Sequence, residues 1–116
     1  MKTAHTVITL LLALAFLVAG LSKASGSNAG LSGTRDVGFP DGGARLIGII
    51  EILASLSLIL GFAFDNATLE QYGYVAILVI MAGAIYFHFR ANKMKTAFPA
   101  FFFLILSTIG IFTSKL

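Results

Sequence analysis

Apolar residues fill four runs of the chain, 4–22, 44–64, 72–90 and 97–113, closed in turn by Lys23, by Asp65 and Asn66, by Arg90 and near Lys115. None alternates with period two, so strands and barrels are not indicated. A helix rising 1.5 Å per residue needs about 20 residues to cross a ~30 Å hydrocarbon core, a length the fourth run reaches least well. Inside lipid no water pairs with the backbone, so a spanning run must satisfy its own amides as a helix. The expected fold is all-α, an antiparallel transmembrane four-helix bundle, with residues 1–116 forming one integral membrane domain.

Three connections separate the runs. The first, "ASGSNAGLSGTRDVGFPDGG", is long and rich in Gly and Ser, and is expected as a non-helical loop between the first two helices. It serves either as a mobile linker or as a lid that dips Leu31, Val37 and Phe39 toward the bundle. The other two, "DNATLEQ" and "RANKMKT", read as short turns that make neighbouring helices antiparallel. Pro99 suits the first turn of the fourth helix, where its missing N–H costs nothing. Asn66-Ala67-Thr68 matches a glycosylation sequon, a pattern too common to carry weight. A rival reading makes the first run a cleaved signal peptide, but the run outlasts an ordinary ~7–15-residue apolar region and Lys23 falls awkwardly near the cut.

Composition sharpens the membrane reading. Of 116 residues 58% are hydrophobic and 11% charged, against about a quarter charged in soluble domains. The absence of cysteine excludes disulfides, thiol nucleophiles and cysteine-held metal clusters. A net charge of +3 is no nucleic-acid footprint, because the basic residues flank apolar runs and form no stripe. Their distribution bears on topology. Lys2 and Lys115 stand on one side, against Lys23, Arg35, Arg45, Arg90, Lys93 and Lys95 on the other. Two against six places the first and third connections in the cytoplasm and both termini outside.

The candidate chemistry centres on Glu51, in "LIGIIEILASLSLIL". It lies roughly 10 Å below the membrane edge, where a carboxylate costs on the order of 2–3 kcal/mol unless paired, protonated or hydrated. It must therefore face inward. Gly48, Ser55 and Leu58 share its helix face, and Ile49, Ile52, Leu53 and Leu56 lie opposite. Arg45, six residues earlier, sits about 120° round the helix and is no automatic partner. Lys23 closes the first helix and His88 nearly closes the third, and antiparallel connectivity brings both to the end that Glu51 approaches. Tyr86, Ser55, Ser107 and Thr108 are secondary hydrogen-bonding candidates. Either the cluster is a buried ion pair that sets helix register, or it lines a polar cavity for a head group, a small polar molecule or a proton.

Other residues support blander readings. His5 is expected at the interface, a bilayer away from His88, so the two cannot clamp one haem. Glu51 with His88 alone is short of ligands for a metal. "FPAFFF" reads as lipid-facing packing more than as a quinone box, and Gly20, Gly83 and Gly110 as points of close helix approach.

The segments "FLVAGLSK", "GARLIGIIEILASLSLILGF" and "MAGAIYFHFRANK", in this order, resemble the DoxX-like family of small four-helix membrane proteins, over about residues 16–110. By motif, the family's lysine falls on Lys23, its glutamate on Glu51, and its histidine with the following basic residue on His88 and Arg90. The long first connection departs from the tightest family examples. The resemblance implies a multi-pass protein of a bacterial inner membrane and association with quinone-linked sulfur oxidation or, in distant relatives, with membrane-protein assembly. The expected ligand-binding residues are Lys23, Glu51, His88, Arg90 and Ser55. No intrinsic cofactor is expected, with a quinone or a lipid as the ligand. Partners are the bilayer, a membrane or peripheral redox protein and further copies of the chain, and not nucleic acid. Two functions compete: an auxiliary ligand-binding subunit, and an assembly factor acting through apolar helix faces. A transporter is disfavoured because no inverted repeat or broken helix is visible. An independent enzyme is disfavoured because no nucleophile and base stand at hydrogen-bonding spacing in one element.

Overall fold

The computed structural model describes residues 2–114; Met1, Leu116 and Lys115, one of the terminal charges counted above, lie outside it, as does the side chain of Lys2. Five helices follow one another: α1 (Lys2–Ala24), α2 (Asn28–Asp36), α3 (Asp41–Ala63), α4 (Ala67–Arg90) and, after a 3-10 turn at Met94–Thr96, α5 (Phe98–Thr113). The first four end alike. Gly26, Gly38, Asp65 and Asn92 adopt φ of 75°, 79°, 52° and 58°, and the next amide reaches back to Ser22, Thr34, Gly61 and His88 carbonyls respectively. This wrap satisfies carbonyls that a helix end leaves unpaired, and it turns the chain sharply.

Two expectations change here. The first connection is not loop throughout, because α2 occupies its centre. Ser27 caps α2 by accepting the Gly30 amide at 3.0 Å, and Leu31 is buried beneath it. These contacts offset two interior glycines that each cost about 1 kcal/mol in an isolated helix. The second connection is also shorter than "DNATLEQ" suggested, since α4 begins at Ala67. Asn66 starts it by accepting the Leu69 amide at 3.1 Å. A Ser27→Ala variant should lose about 1 kcal/mol locally, read as faster amide exchange over 28–36 with no change in α3.

α3 and α5 each pack against both α1 and α4, closing a ring of four, and α2 rests on α1 and α3. α1, α3 and α4 are long and apolar enough to cross a membrane; α5 is equally apolar but has 16 residues. Leu12, Phe16, Leu58, Tyr74 and Ile77 fill the interior, while Leu14, Val18, Leu53, Val79 and Phe112 stand exposed on the outside. An outer surface as apolar as the core is suited to hydrocarbon and not to water.

α1 and α3 approach each other closely through a pair of glycines. A Cβ on Gly20 would stand 2.6 Å from the Gly48 carbonyl oxygen, and one on Gly48 2.7 Å from the Ala24 amide nitrogen. Gly110 likewise admits the ring of Tyr74. Gly83 does not follow the expected rule: nothing lies within 4 Å of its Cβ position. On α3, Gly48, Glu51, Ser55 and Leu58 are buried and Ile49, Leu53 and Leu56 exposed, as the helical spacing indicates. Ile52 is the exception on that outer face, because it covers Gly20. In α5, Phe103 turns inward and meets Phe16 edge-on at 5.1 Å, unlike its exposed neighbours Phe101 and Phe102.

Candidate ligand-binding site

Glu51 is 1% exposed, one turn beyond Gly48 on the buried face of α3. Because the two glycines let α1 and α3 touch, the end of α1 is close enough for Lys23 to bend its stem toward the carboxylate. Lys23 Nζ donates to Glu51 Oε1 at 2.9 Å and to Oε2 at 3.3 Å. The lysine side chain is 19% exposed, so the pair has a dry partner and a wetter one. Arg45 takes no part: its Nε donates to the Ala24 carbonyl at 3.1 Å and finishes α1.

This pair forms part of the wall of two cavities. The larger, about 930 Å³, lies between α3 and α4 with α2 as its roof. Ile47, Ile50, Ile80 and Phe87 make its walls apolar, and it reaches the outer surface where Val79 and Gly83 are exposed. The smaller, about 210 Å³, is lined by Ala15, Phe16, Pro99 and Phe103 from α1 and α5. Lys23, Glu51, Met81, His88 and Thr96 line both. The polar groups therefore stand at a waist with apolar space on either side.

His88 reaches this waist but does not bond to Glu51. Its Nδ1 lies 2.8 Å from Thr96 Oγ1 and 3.2 Å from the Lys93 carbonyl oxygen, groups supplied by the 3-10 turn and its approach. Among the described residues its Nε2 has no hydrogen-bond partner. The remaining expected residues are elsewhere. Ser55 Oγ donates to the Glu51 carbonyl at 2.8 Å and stays within its own helix. Arg90 is exposed, its guanidinium 5.9 Å from the ring centre of Phe87. Tyr86 is exposed, and Ser107 and Thr108 donate to the Leu104 carbonyl. Among the described residues no three His, Cys, Asp or Glu side chains group closely enough to hold a metal.

α2 is tied over the larger cavity from both sides. Lys93 Nζ reaches Asp36 at 3.2 Å, Arg35 clasps Asp41 at 2.9 Å, and Phe39 meets Phe87 edge-on at 4.9 Å. The hydrogen bond to Asp41 raises the Arg35 pKa above its ordinary value.

Over residues 7–109 the sequence matches the model of a family described as DoxX-like. The chain belongs to the DoxX-like family. No match was found among curated proteins or among solved structures. In this DoxX-like protein the matched stretch includes every residue at the waist and excludes His5 and Thr113.

Those two residues belong to a second buried polar cluster, which sequence reasoning missed, at the other end of the DoxX-like helices. His5 Nε2 lies 2.5 Å from Glu70 Oε1, and His5 Nδ1 lies 2.6 Å from Thr113 Oγ1. Thr9, bonded to Tyr74, donates to the His5 carbonyl at 2.8 Å. Glu70 is 6% exposed, although its place in "DNATLEQ", before the apolar run starts at 72, suggests a turn. The available signal was Asn66, a strong N-cap that puts Glu70 on the helix one turn before Tyr74. Glu70→Gln should weaken this network and lower stability by about 1–2 kcal/mol in a denaturant titration, since charge-assisted hydrogen bonds are about twice as strong as neutral ones.

Proposed function

We propose that this protein is a ligand-binding membrane module, serving as an auxiliary subunit, that takes the polar head of a quinone or lipid at Lys23, Glu51 and His88. One observation carries the reading: a carboxylate 1% exposed, ion-paired across two helices, lies in the wall shared by two otherwise apolar cavities. Intramembrane charge is costly, and an ion pair needed only for register requires no cavity beside it. A space of this volume falls within the range of small-molecule sites.

In the same proposal α1, α3, α4 and α5 cross the membrane as an antiparallel bundle, with both termini outside. The tie from Lys93, in the third connection, to Asp36, in the first, supports a common end for the two basic connections. α5, at 16 residues, spans roughly 24 Å, and a thinned or locally adapted bilayer accommodates the difference.

The test compares material extracted from native membranes. Wild-type protein should carry a quinone or lipid near one per chain, and Glu51→Gln should express normally with at least about tenfold less, a change of about 1.4 kcal/mol. Equal amounts on both proteins would remove the pocket from the function. A second reading, an assembly factor, is supported by exposed Phe101 and Phe102 on α5. It expects Phe101→Ala/Phe102→Ala to lose a captured membrane or redox partner while Glu51→Gln keeps it.

A further inference from the structure

We infer that the ligand of this site bears an uncharged polar head, a hydroxyl or carbonyl group on an apolar chain, and that charged amphiphiles are rejected; this rests on the binding reading above and narrows it. Among the described residues the charged side chains lining the two cavities are Lys23, Glu51 and Asp36. Each already has a counter-charge: Lys23 and Glu51 hold each other, and Asp36 at the roof is held by Lys93 at 3.2 Å. The waist is thus electrically neutral as built.

An anionic head would have to share the Lys23 ammonium with a carboxylate that is almost wholly out of water, and like charges repel strongly in such a medium. A cationic head meets the mirror problem, since taking Glu51 would displace an ammonium already in place. Either exchange leaves a buried charge without its partner, the costly outcome for a buried pair.

Neutral groups meet no such obstacle. An ammonium has three N–H donors, and the Lys23–Glu51 contacts are directed at the two oxygens of one carboxylate. His88 offers Nε2 as donor or acceptor according to its tautomer, with Thr96 at its other nitrogen. A hydroxyl satisfies either tautomer and a carbonyl satisfies the donors. The apolar chain then lies in the 930 Å³ cavity, whose remaining walls are largely hydrocarbon.

Four probes with twelve-carbon chains test this on the purified full chain by native mass spectrometry: monolauroylglycerol, dodecyl-benzoquinone, dodecyl phosphate and dodecylamine. Wild type should form one-to-one adducts with one or both of the first two, which distinguishes a hydroxylated lipid from a quinone, and bind the charged pair at least tenfold more weakly. Glu51→Gln leaves Lys23 unopposed, so dodecyl phosphate should gain at least tenfold on that variant. Phosphate or amine binding to wild type as tightly as the neutral probes would overturn this inference and leave the binding reading intact. No one-to-one adduct with any probe would overturn both. Should Glu51→Gln fail to fold, the wild-type comparison still decides.

Discussion

Replacing Lys23 by Met should lower the stability of the protein by about 3 kcal/mol, while Lys23→Met/Glu51→Leu should recover most of that loss. The single change strands a carboxylate 1% exposed on the inner face of α3. Removing one member of a buried pair typically costs about 3–5 kcal/mol, and the low end applies because Lys23 is partly exposed and Glu51 can take up a proton. The double change removes both charges and leaves an apolar face where α1 meets α3. The measurement is reversible unfolding in bicelles or mixed micelles. A single variant as stable as wild type would show that water, not Lys23, solvates Glu51. A double variant as weak as the single would place the loss in packing instead.

Gly20→Val should cost about 3 kcal/mol in the same assay, and Gly83→Val less than about 0.5. At Gly20 the first added carbon would stand 2.6 Å from a backbone oxygen of α3, 2.8 Å from Ile52 Cγ1 and 3.0 Å from the Ile52 nitrogen. The backbone atoms cannot rotate aside as a side chain can, so α1 and α3 must part, at the upper end of the usual overpacking penalty. Parting them also draws Lys23, three residues on, away from Glu51, and the two effects should not be additive in a Gly20→Val/Lys23→Met double variant. At Gly83 the same carbon meets nothing within 4 Å and enters the larger cavity. That variant should keep its stability and lose ligand, which separates the cavity from the helix contact. Equal stability losses at both positions would mean that the close contact of α1 with α3 is not what makes Gly20 necessary, since helix propensity alone favours valine over glycine.

Much of the architecture was legible because hydrocarbon imposes one rule on the whole chain: long apolar runs become helices. The inward face of α3 was legible for a related reason, since a carboxylate tolerates only one side of a helix in lipid, and the 3.6-residue period then assigns Gly48, Ser55 and Leu58 to that side. Lys23 was a sound partner for Glu51 because its stem is long and it closes the adjoining helix. Local polar signals read less well. α2 hid behind two glycines, as its stability comes from the Ser27 cap and from Leu31 beneath it, the second a tertiary contact. Glu70 hid in an apparent turn because hydropathy marks where a helix enters lipid and not where its hydrogen bonds begin.

The sequence by itself determined that this is an integral membrane protein of helices, that Glu51 is the costly residue, and that the chain resembles the DoxX-like family. Tertiary structure alone decided what each polar group does. It gave His88 to Thr96 and the Lys93 carbonyl, left Arg90 outside, spent Ser55 on its own helix, and joined His5 to Glu70 across 65 residues. The reason is one of range. Hydrophobic burial and backbone pairing act along a segment and leave a periodic trace in it, whereas a hydrogen bond forms only between side chains that packing has brought within about 3 Å, and that distance is set by four helices at once.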